Sequence, residues 1–181
     1  MAIIATVASV FTLQSCTKGI SNLLRYNLAM QSGEVTVAIP PMTNSGSGAT
    51  VDAGSNTINI DSFIKAHTAG LMGVANIQSV KLTSCTVNIQ DASVSNNFAN
   101  FQSCNAAFSS NAEATPYEVN IPSNPDTYAT TLSMPVDTTT ELKSYLTGNQ
   151  FNYSLGGKLR RSTTDTLHCT IQFKFNIRVQ G

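Results

Sequence analysis

The strongest pattern in the chain is a strict alternation of apolar and polar residues near its C-terminal end. The apolar positions are Leu167, Cys169, Ile171, Phe173, Phe175, Ile177 and Val179. Because successive side chains of a β-strand point to opposite faces, this alternation predicts a strand with one buried face. At about 3.3 Å per residue the segment would reach about 43 Å, which is longer than most strands. We therefore expect it to lie in the middle of a sheet.

Shorter strand patterns precede this segment. They cover Glu34–Ile39, Ile77–Gln90, residues 98–109, Tyr117–Ile121, Thr127–Met134 and the alternating residues 151–155. A further strand is predicted to begin over Thr57–Ile60, and Gly156-Gly157 predicts a bend. Within Ile77–Gln90 the apolar positions change parity, which predicts a β-bulge near Thr83 and Ser84.

Loops and short helices separate the predicted strands. The Gly- and Ser-rich residues 43–55 predict an exposed loop. Asp61 or Ser62 can cap one short helix, and Thr138 with Glu141 has the spacing of a capping box that would open a second. Roughly eight strands with two helical insertions predict an all-β fold, a two-sheet β-sandwich of either jelly-roll or immunoglobulin-like topology.

The domain organisation follows from chain length and from the N-terminal composition. The 181 residues are enough for one sizeable core, so we expect one folded domain. Residues 20–31 place apolar side chains too densely for a clean period and are interpreted as a short helix or an extended arm. The predicted organisation is an apolar N-terminal arm or tether over residues 1–31, followed by a β-sandwich domain over residues 32–181.

The N-terminal arm is almost wholly apolar or small over residues 2–13. This run is shorter than the roughly 20 residues that span a bilayer, so it needs a protein surface or a membrane interface to cover it. We expect it to pack against neighbouring subunits of an assembly, with contact at a membrane interface as the alternative. The candidate contact residues are Ile3, Ile4, Val7, Val10, Phe11 and Leu13.

Charged residues are scarce, and their signs are unevenly distributed. They make up 11% of the chain, with a formal net charge of zero. A net charge of zero argues against a nucleic-acid binder that works by counterion release, and it permits identical copies to associate. Residues 91–141 contain six acidic and no basic residues, whereas residues 143–181 contain six basic residues and one acidic residue, Asp165. The two segments could neighbour each other within one fold, or they could be complementary surfaces of two subunits.

Three basic residues cluster in the segment before the last predicted strand: Lys158, Arg160 and Arg161. This segment is either a solvated turn or a contact for a partner. In the second interpretation it meets the acidic segment of another copy. Lys158, Arg160 and Arg161 are therefore candidate subunit contacts.

No motif in the sequence indicates catalysis, a cofactor or a metal site. Four cysteines lack C-x-x-C spacing, and Cys85 and Cys169 lie on the apolar faces of predicted strands. Buried free thiols are the main prediction, with a Cys85–Cys104 disulfide left open. His67 and His168 are interpreted as surface residues. We predict no enzyme, no cofactor and no small-molecule substrate.

The residues Leu13-Gln14-Ser15-Cys16, which follow the apolar run, resemble a bacterial lipoprotein signal. This resemblance implies removal of residues 1–15, lipidation of Cys16 and anchoring at the outer membrane. The layout of Cys16, a short tether, the EVTVAIPP and NIQSVKL strands and the long C-terminal strand is similar to small β-sandwich surface lipoproteins of Bacteroidetes-type bacteria. This family implies a binding role of unknown kind.

The long strands rich in Thr, Ser and Asn, the low charge and the apolar arm broadly resemble jelly-roll capsid proteins of viruses. That resemblance implies a structural component of the virion, a coat or vertex protein. Its partners would be copies of itself and other assembly proteins, without sequence-specific nucleic acid. The presence of Met1 favours this interpretation over the lipoprotein, and zero net charge predicts a position without heavy genome contact.

Overall fold

The computed structural model describes residues 24–181, which form nine β-strands and two short α-helices. The strands are β1 (Arg25–Gln31), β2 (Val35–Ile39), β3 (Gly48–Thr57), β4 (Ile77–Ile89), β5 (Phe101–Ser110), β6 (Tyr117–Ile121), β7 (Thr131–Met134), β8 (Gln150–Leu159) and β9 (Leu167–Gln180). The helices are α1 (Ile60–His67) and α2 (Lys143–Leu146), and single 3₁₀ turns cover Val74–Asn76 and Phe98–Asn100.

The strands form two antiparallel sheets that pack face to face. In the front sheet the order is β1-β9-β4-β7, and β2 also pairs with β9. Strand β4 takes one edge of β9, while β1 and β2 share the other, β1 along residues 174–180 and β2 along residues 167–171. In the back sheet the order is β3-β8-β5-β6. The all-β, two-sheet sandwich predicted from the sequence is confirmed.

The strand order is that of a jelly roll. If β1 and β2 count as one strand interrupted at residues 32–34, the first strand pairs with the last, the second with the seventh, the third with the sixth and the fourth with the fifth. The chain is thus one long hairpin rolled into two sheets, which are joined internally by β9–β4 and β8–β5. This nested arrangement is the two-Greek-key topology of a jelly roll, and it resolves the choice that the sequence left open.

Strand β9 is the centre of the front sheet, as its alternation predicts. All seven of its apolar side chains are buried. The predicted bulge in β4 is also confirmed, because the pairing with β9 shifts register between Leu82 and Ser84. The extra residue turns Val80, Leu82, Cys85 and Val87 to the same buried face.

The interior between the sheets is filled by aromatic and aliphatic side chains. Phe108 of the back sheet meets Phe173 and Phe175 of the front sheet edge to face, with ring centroids 5.0 and 5.4 Å apart. Tyr153 stacks on Phe173 at 5.9 Å. A small cavity beside Cys104 has a volume of about 20 Å³, which is room for about one water molecule. The interior of the sandwich is therefore filled by packed side chains.

The arm predicted over residues 1–31 extends too far along the chain, because its last seven residues belong to the sandwich. Arg25–Gln31 is neither a helix nor a free arm but strand β1, paired with β9 along its whole length. Leu28 is buried, and Met30 is only 2% exposed. The sandwich therefore includes residues assigned from the sequence to the arm, because the central strand β9 extends far enough to pair with them. Residues 1–23 lie outside the described residues, so the rest of the arm stays a prediction.

Two Gly-rich segments predicted as a loop and a bend are strands. Gly48–Thr57 forms β3 at the edge of the back sheet, held by backbone pairing with β8. Gly156-Gly157 lies inside β8, where a Cβ atom on Gly157 would come closer than 3.0 Å to the Ser103 carbonyl oxygen of β5. Gly157 therefore permits close approach of the neighbouring strand β5, which is one of the known roles of glycine within a strand.

The predicted helix starts are only partly correct. Thr57 ends β3 instead of beginning a strand, and α1 starts at Ile60 with the Asn59 side chain as its cap. No capping box opens α2, which has no side-chain cap. The Glu141 carboxylate instead accepts hydrogen bonds from the Val80 backbone at 2.7 Å and from Ser79 at 2.8 Å, so it fixes this connection to β4.

Candidate functional site

Four connections of the chain meet at the end of the sandwich where β9 begins. They are residues 40–47, 90–97, 122–130 and 160–166, and we call this cluster the loop end. Hydrogen bonds join the connections directly: the Met42 backbone N–H donates to Thr163, and the Asn96 side chain donates to Thr164. The fold therefore brings distant parts of the chain into one continuous surface.

Buried asparagines hold the loop end in one conformation. Asn96, Asn97, Asn100 and Asn124 are each less than 5% exposed. Asn100 donates to the carbonyl oxygens of residues 95 and 162, and Asn124 donates to those of residues 98 and 101. Within residues 24–181, no buried side-chain nitrogen or oxygen lacks a hydrogen-bond partner. A fully satisfied polar network of this kind makes a surface rigid before any partner arrives.

Arg160 and Arg161 brace the loop end from the last of the four connections. Arg160 donates to the carbonyl oxygens of Ala99 at 2.9 Å and Asn124 at 2.6 Å. Arg161 donates to the Ala99 carbonyl oxygen at 3.0 Å and forms an ion pair with Asp126. The hydrogen bond from Arg161 lowers the pKa of the Asp126 carboxyl group, so this carboxylate stays charged at neutral pH.

An open cleft of about 620 Å³ runs across the loop end. It is lined by buried Asn97 and Asn100 and by exposed Val94 and Tyr128. Val94 is 92% exposed and Tyr128 is 58% exposed. Tyrosine and arginine are residue types that anchor protein–protein contacts, and exposed Val94 adds apolar area beside them. The loop end is therefore the candidate functional site, as a surface for contact with another protein.

The acidic and basic segments meet within one chain. Asp126 of the acidic segment pairs with Arg161 of the basic segment, and Asp91 pairs with His168 of the same basic segment at 2.6 Å. These two pairs match the alternative in which the segments are neighbours in one fold. Glu141 pairs at 3.2 Å with Lys81, which lies outside both segments. All three pairs therefore leave less charge on the acidic segment for a second subunit.

The subunit-contact residues named from the sequence lie in three different places. Arg160 and Arg161 are at the loop end, whereas Lys158 is on the outward face of β8, away from the cleft. The six residues of the N-terminal run, Ile3, Ile4, Val7, Val10, Phe11 and Leu13, lie outside the described residues, as does Cys16. Val94 and Tyr128 were missed. Their signal was a lone large apolar or aromatic residue in a segment that is otherwise polar turn sequence.

The three described cysteines lie in the core, and the two histidines, His67 and His168, lie on the surface. Cys85, Cys104 and Cys169 are free and buried, and burial raises the pKa of each thiol to about 12. The Cys85–Cys104 disulfide is not formed, and these residues lie in opposite sheets. His67 bonds the Phe63 carbonyl oxygen through Nδ1 at 2.8 Å.

In the part of the chain that the structure describes, no group of three or more His, Cys, Asp or Glu side chains is placed to hold a metal ion. Across the same residues, no helix has the length and apolar content to cross a membrane.

The sequence matches no protein-family model and no curated protein. Similar solved structures include chains of infectious bursal disease virus. The Gt strain gives a TM-score of 0.43 at 11% identity, covering 87% of this chain and 33% of that chain. The Gx strain gives 0.42 at 9% identity, covering 87% and 34%. This chain thus spans about a third of the length of those two chains.

A third similar structure comes from Desmodium yellow mottle tymovirus. It gives a TM-score of 0.29 at 11% identity, covering 100% of this chain and 95% of that chain. All three of these structures come from viruses.

Proposed function

We propose that this chain is a non-enzymatic structural subunit of a virion, a coat or vertex component that contacts other subunits through its loop end. The observation that carries the proposal is the jelly-roll strand order closed around a filled interior. Jelly rolls occur in viral capsid domains, lectins and cupins. A core packed with side chains leaves binding to the outer surfaces, which is what a shell subunit needs.

The loop end supports this role through its composition and its rigidity. The apolar side chain of Val94 and the aromatic ring of Tyr128 are exposed to solvent. Burying them against a partner would contribute favourable free energy to binding. The asparagine network holds that area in one conformation, so less conformational entropy is lost on contact. The partners proposed are copies of this chain and other assembly proteins. The apolar residues of the N-terminal run would add a second contact beneath neighbouring subunits.

The experiment compares self-association of the full chain with that of a double variant, Val94→Ser with Tyr128→Ala. Sedimentation velocity over a concentration series should show assembly of the full chain and at least about a 10-fold higher concentration requirement for the variant, which corresponds to about 1.4 kcal/mol. The matched control is Leu71→Ser, which removes a side chain that is 57% exposed. Leu71 precedes the first residue of β4, whereas Val94 follows its last, so the two lie at opposite ends of that strand.

Two results would overturn the loop-end contact. The full chain could remain monomeric throughout the series, or the double variant could assemble like the control while melting at the same temperature. Arg160 is unsuited to this test, because its guanidinium holds two backbone carbonyl groups and its removal would disturb the loops themselves.

The lipoprotein alternative rests on Cys16 and has its own test. Intact mass of the protein isolated from its natural source separates the two functions. An unprocessed chain excludes the lipoprotein, whereas loss of residues 1–15 with lipid mass on Cys16 would replace the virion proposal by a surface-anchored protein.

A further inference from the structure

The strands of the two sheets differ in charge. The five front-sheet strands contain four Lys or Arg residues and no Asp or Glu. The four back-sheet strands contain one Lys and two acidic residues. The formal sums are therefore +4 and −1, although the whole chain has a formal net charge of zero. The fold therefore places an excess of positive charge on the strands of one sheet, although the chain as a whole is neutral.

The four basic residues lie together on the outward face of β1, β9 and β4, which we call the basic face. They are Arg25, Lys81, Lys174 and Arg178. Each alternates with residues whose side chains are buried in the core. Arg178 lies opposite Asn27, and Lys174 lies opposite Gln31. From strand spacing and rise, the four charges occupy an area of about 10 by 20 Å.

Most of this charge is not neutralised by the protein itself. Lys81 pairs with Glu141. Arg25, Lys174 and Arg178 are exposed, and no ion pair joins them to another of the described residues. The undescribed residues 1–23 contain no Asp or Glu that could do so. Glu34 lies in the turn between β1 and β2, at the margin of the face.

We propose that the basic face binds nucleic acid through its phosphate backbone. Clustered cations on a rigid sheet attract a polyanion, and binding is driven by release of the counterions of the phosphates. Asn27 and Asn176 lie between the cations and can donate hydrogen bonds to phosphate oxygens. The outward positions of β1, β9 and β4 hold no Phe, Tyr or Trp, and the one imidazole among them, His168, is paired with Asp91. Because contacts to phosphates carry no sequence information, binding is independent of base sequence.

This inference goes beyond the proposed function and uses a different surface from the loop end. If the chain is a shell subunit, nucleic-acid binding by the basic face requires the front sheet to face the packaged genome. It also revises the expectation drawn from net charge. A net charge of zero excludes an overall positive potential, but it does not exclude a positive face on a molecule whose negative charges lie elsewhere.

The test measures binding of the full chain to a fluorescent 20-nucleotide single strand by anisotropy. With three unpaired charges, the slope of log K against log salt should be about −2, which weakens binding about 20-fold between 50 and 200 mM salt. Lys174→Gln with Arg178→Gln should reduce the slope to about −0.7. The control pair, Lys143→Gln with Lys158→Gln, removes the same charge from positions outside the basic face and should keep the full slope.

Three outcomes would overturn the proposal. The full chain could fail to bind the oligonucleotide at 50 mM salt, both variant pairs could weaken binding equally, or anionic vesicles could bind where the oligonucleotide does not. The last result would identify a membrane surface as the partner. Assembly measured on the loop-end variants is a separate readout, so failure here is distinguishable from failure of the proposed function.

Discussion

The two sheets of the sandwich have similar inner faces and different outer faces. Inside, Phe173 of the front sheet and Phe108 of the back sheet are both buried in one apolar core. Outside, the front sheet presents the basic face, whereas β5 and β8 of the back sheet present mainly Ser, Asn, Ala and Gly. Burial restricts the inner positions of both sheets to apolar residues. The two sheets therefore differ at their outer positions, which are the positions that a partner can contact.

The central strands of the two sheets also hold their neighbours differently. Strand β9 has a buried apolar side chain at every inward position and is paired on both edges along most of its length. Strand β8 contains Gly156-Gly157, and its neighbour β3 has a bulge between Asp52 and Gly54. The front sheet depends on side-chain burial, while this part of the back sheet depends on close approach of backbones. The first three of the following predictions test that difference.

The largest effect is expected from removal of residues 1–31. This deletion takes away all of β1, including buried Leu28 and Met30, and leaves half of one β9 edge unpaired. Each such residue is worth about 2–5 kcal/mol, against a total stability of about 5–15 kcal/mol. Cooperative thermal unfolding should be lost. A chain lacking only residues 1–23 keeps every described pairing and should melt cooperatively; equal behaviour of the two truncations would contradict the role of β1.

A smaller effect is expected from Phe173→Ala at the centre of the front sheet. Phe173 is fully buried and contacts aromatic rings of two back-sheet strands. Its truncation should lower the free energy of unfolding by about 3–5 kcal/mol. Urea denaturation measures this, with Asn176→Ala on the outward face of the same strand as the control, expected within about 0.5 kcal/mol. A loss below about 1 kcal/mol for Phe173→Ala would show that the two sheets do not share this core.

The back sheet should be destabilised when a side-chain atom is added at a glycine whose backbone lies against a neighbouring strand. Gly157→Ala would force a Cβ atom against the backbone of Ser103, so we expect a loss of about 1–3 kcal/mol in the free energy of unfolding. At Gly48 a Cβ atom would lie 3.5 Å from its nearest neighbour, the Gly157 carbonyl oxygen, which is an ordinary contact. Gly48→Ala should therefore be nearly neutral. If both variants unfold at the same urea concentration, close backbone approach is not what holds this sheet.

The smallest effect concerns acid sensitivity outside the strands. Hydrogen bonds from Thr139 and Thr140 lower the pKa of Asp137 to about 2, from an ordinary value of 3.8. A lowered pKa stabilises the folded state above pH 4, and this contribution is lost as the pH falls toward 2. Asp137→Asn should therefore flatten the pH dependence of the melting temperature between pH 4 and pH 2. Parallel profiles for the two proteins would mean that this carboxylate does not contribute to folding.

The parts of the fold that are dictated by burial could be predicted from the sequence. Strand β9 and the bulge near Thr83 follow directly from apolar parity, because one sheet face must be apolar. Strands β1 and β3 could not be predicted in this way. The apolar residues of β1 are too dense for a clean period, and β3 is an edge strand that is held by backbone hydrogen bonds rather than by an alternating apolar face.

The candidate sites were less predictable because they depend on which distant segments the topology brings together. The loop end needs Asn100 to reach residue 162 and Asn124 to reach residue 98, and local patterns contain neither contact. The basic face needs Arg25 and Arg178 to lie on adjacent strands, although they are near opposite ends of the sequence. The arginines before β9 were identified as a cluster, but their partner, Asp126 of the same chain, required the fold.

The nested strand pairing has a consequence for synthesis on the ribosome. Strand β9 is made after the other eight strands, yet it lies between β4 on one side and β1 and β2 on the other. Until β9 has been added, those strands lack the partner that pairs with the edges of all three. Contacts of such long sequence separation make folding slow and expose intermediates to aggregation. The nascent chain that still lacks β9 is therefore the form of this protein that most needs protection by chaperones.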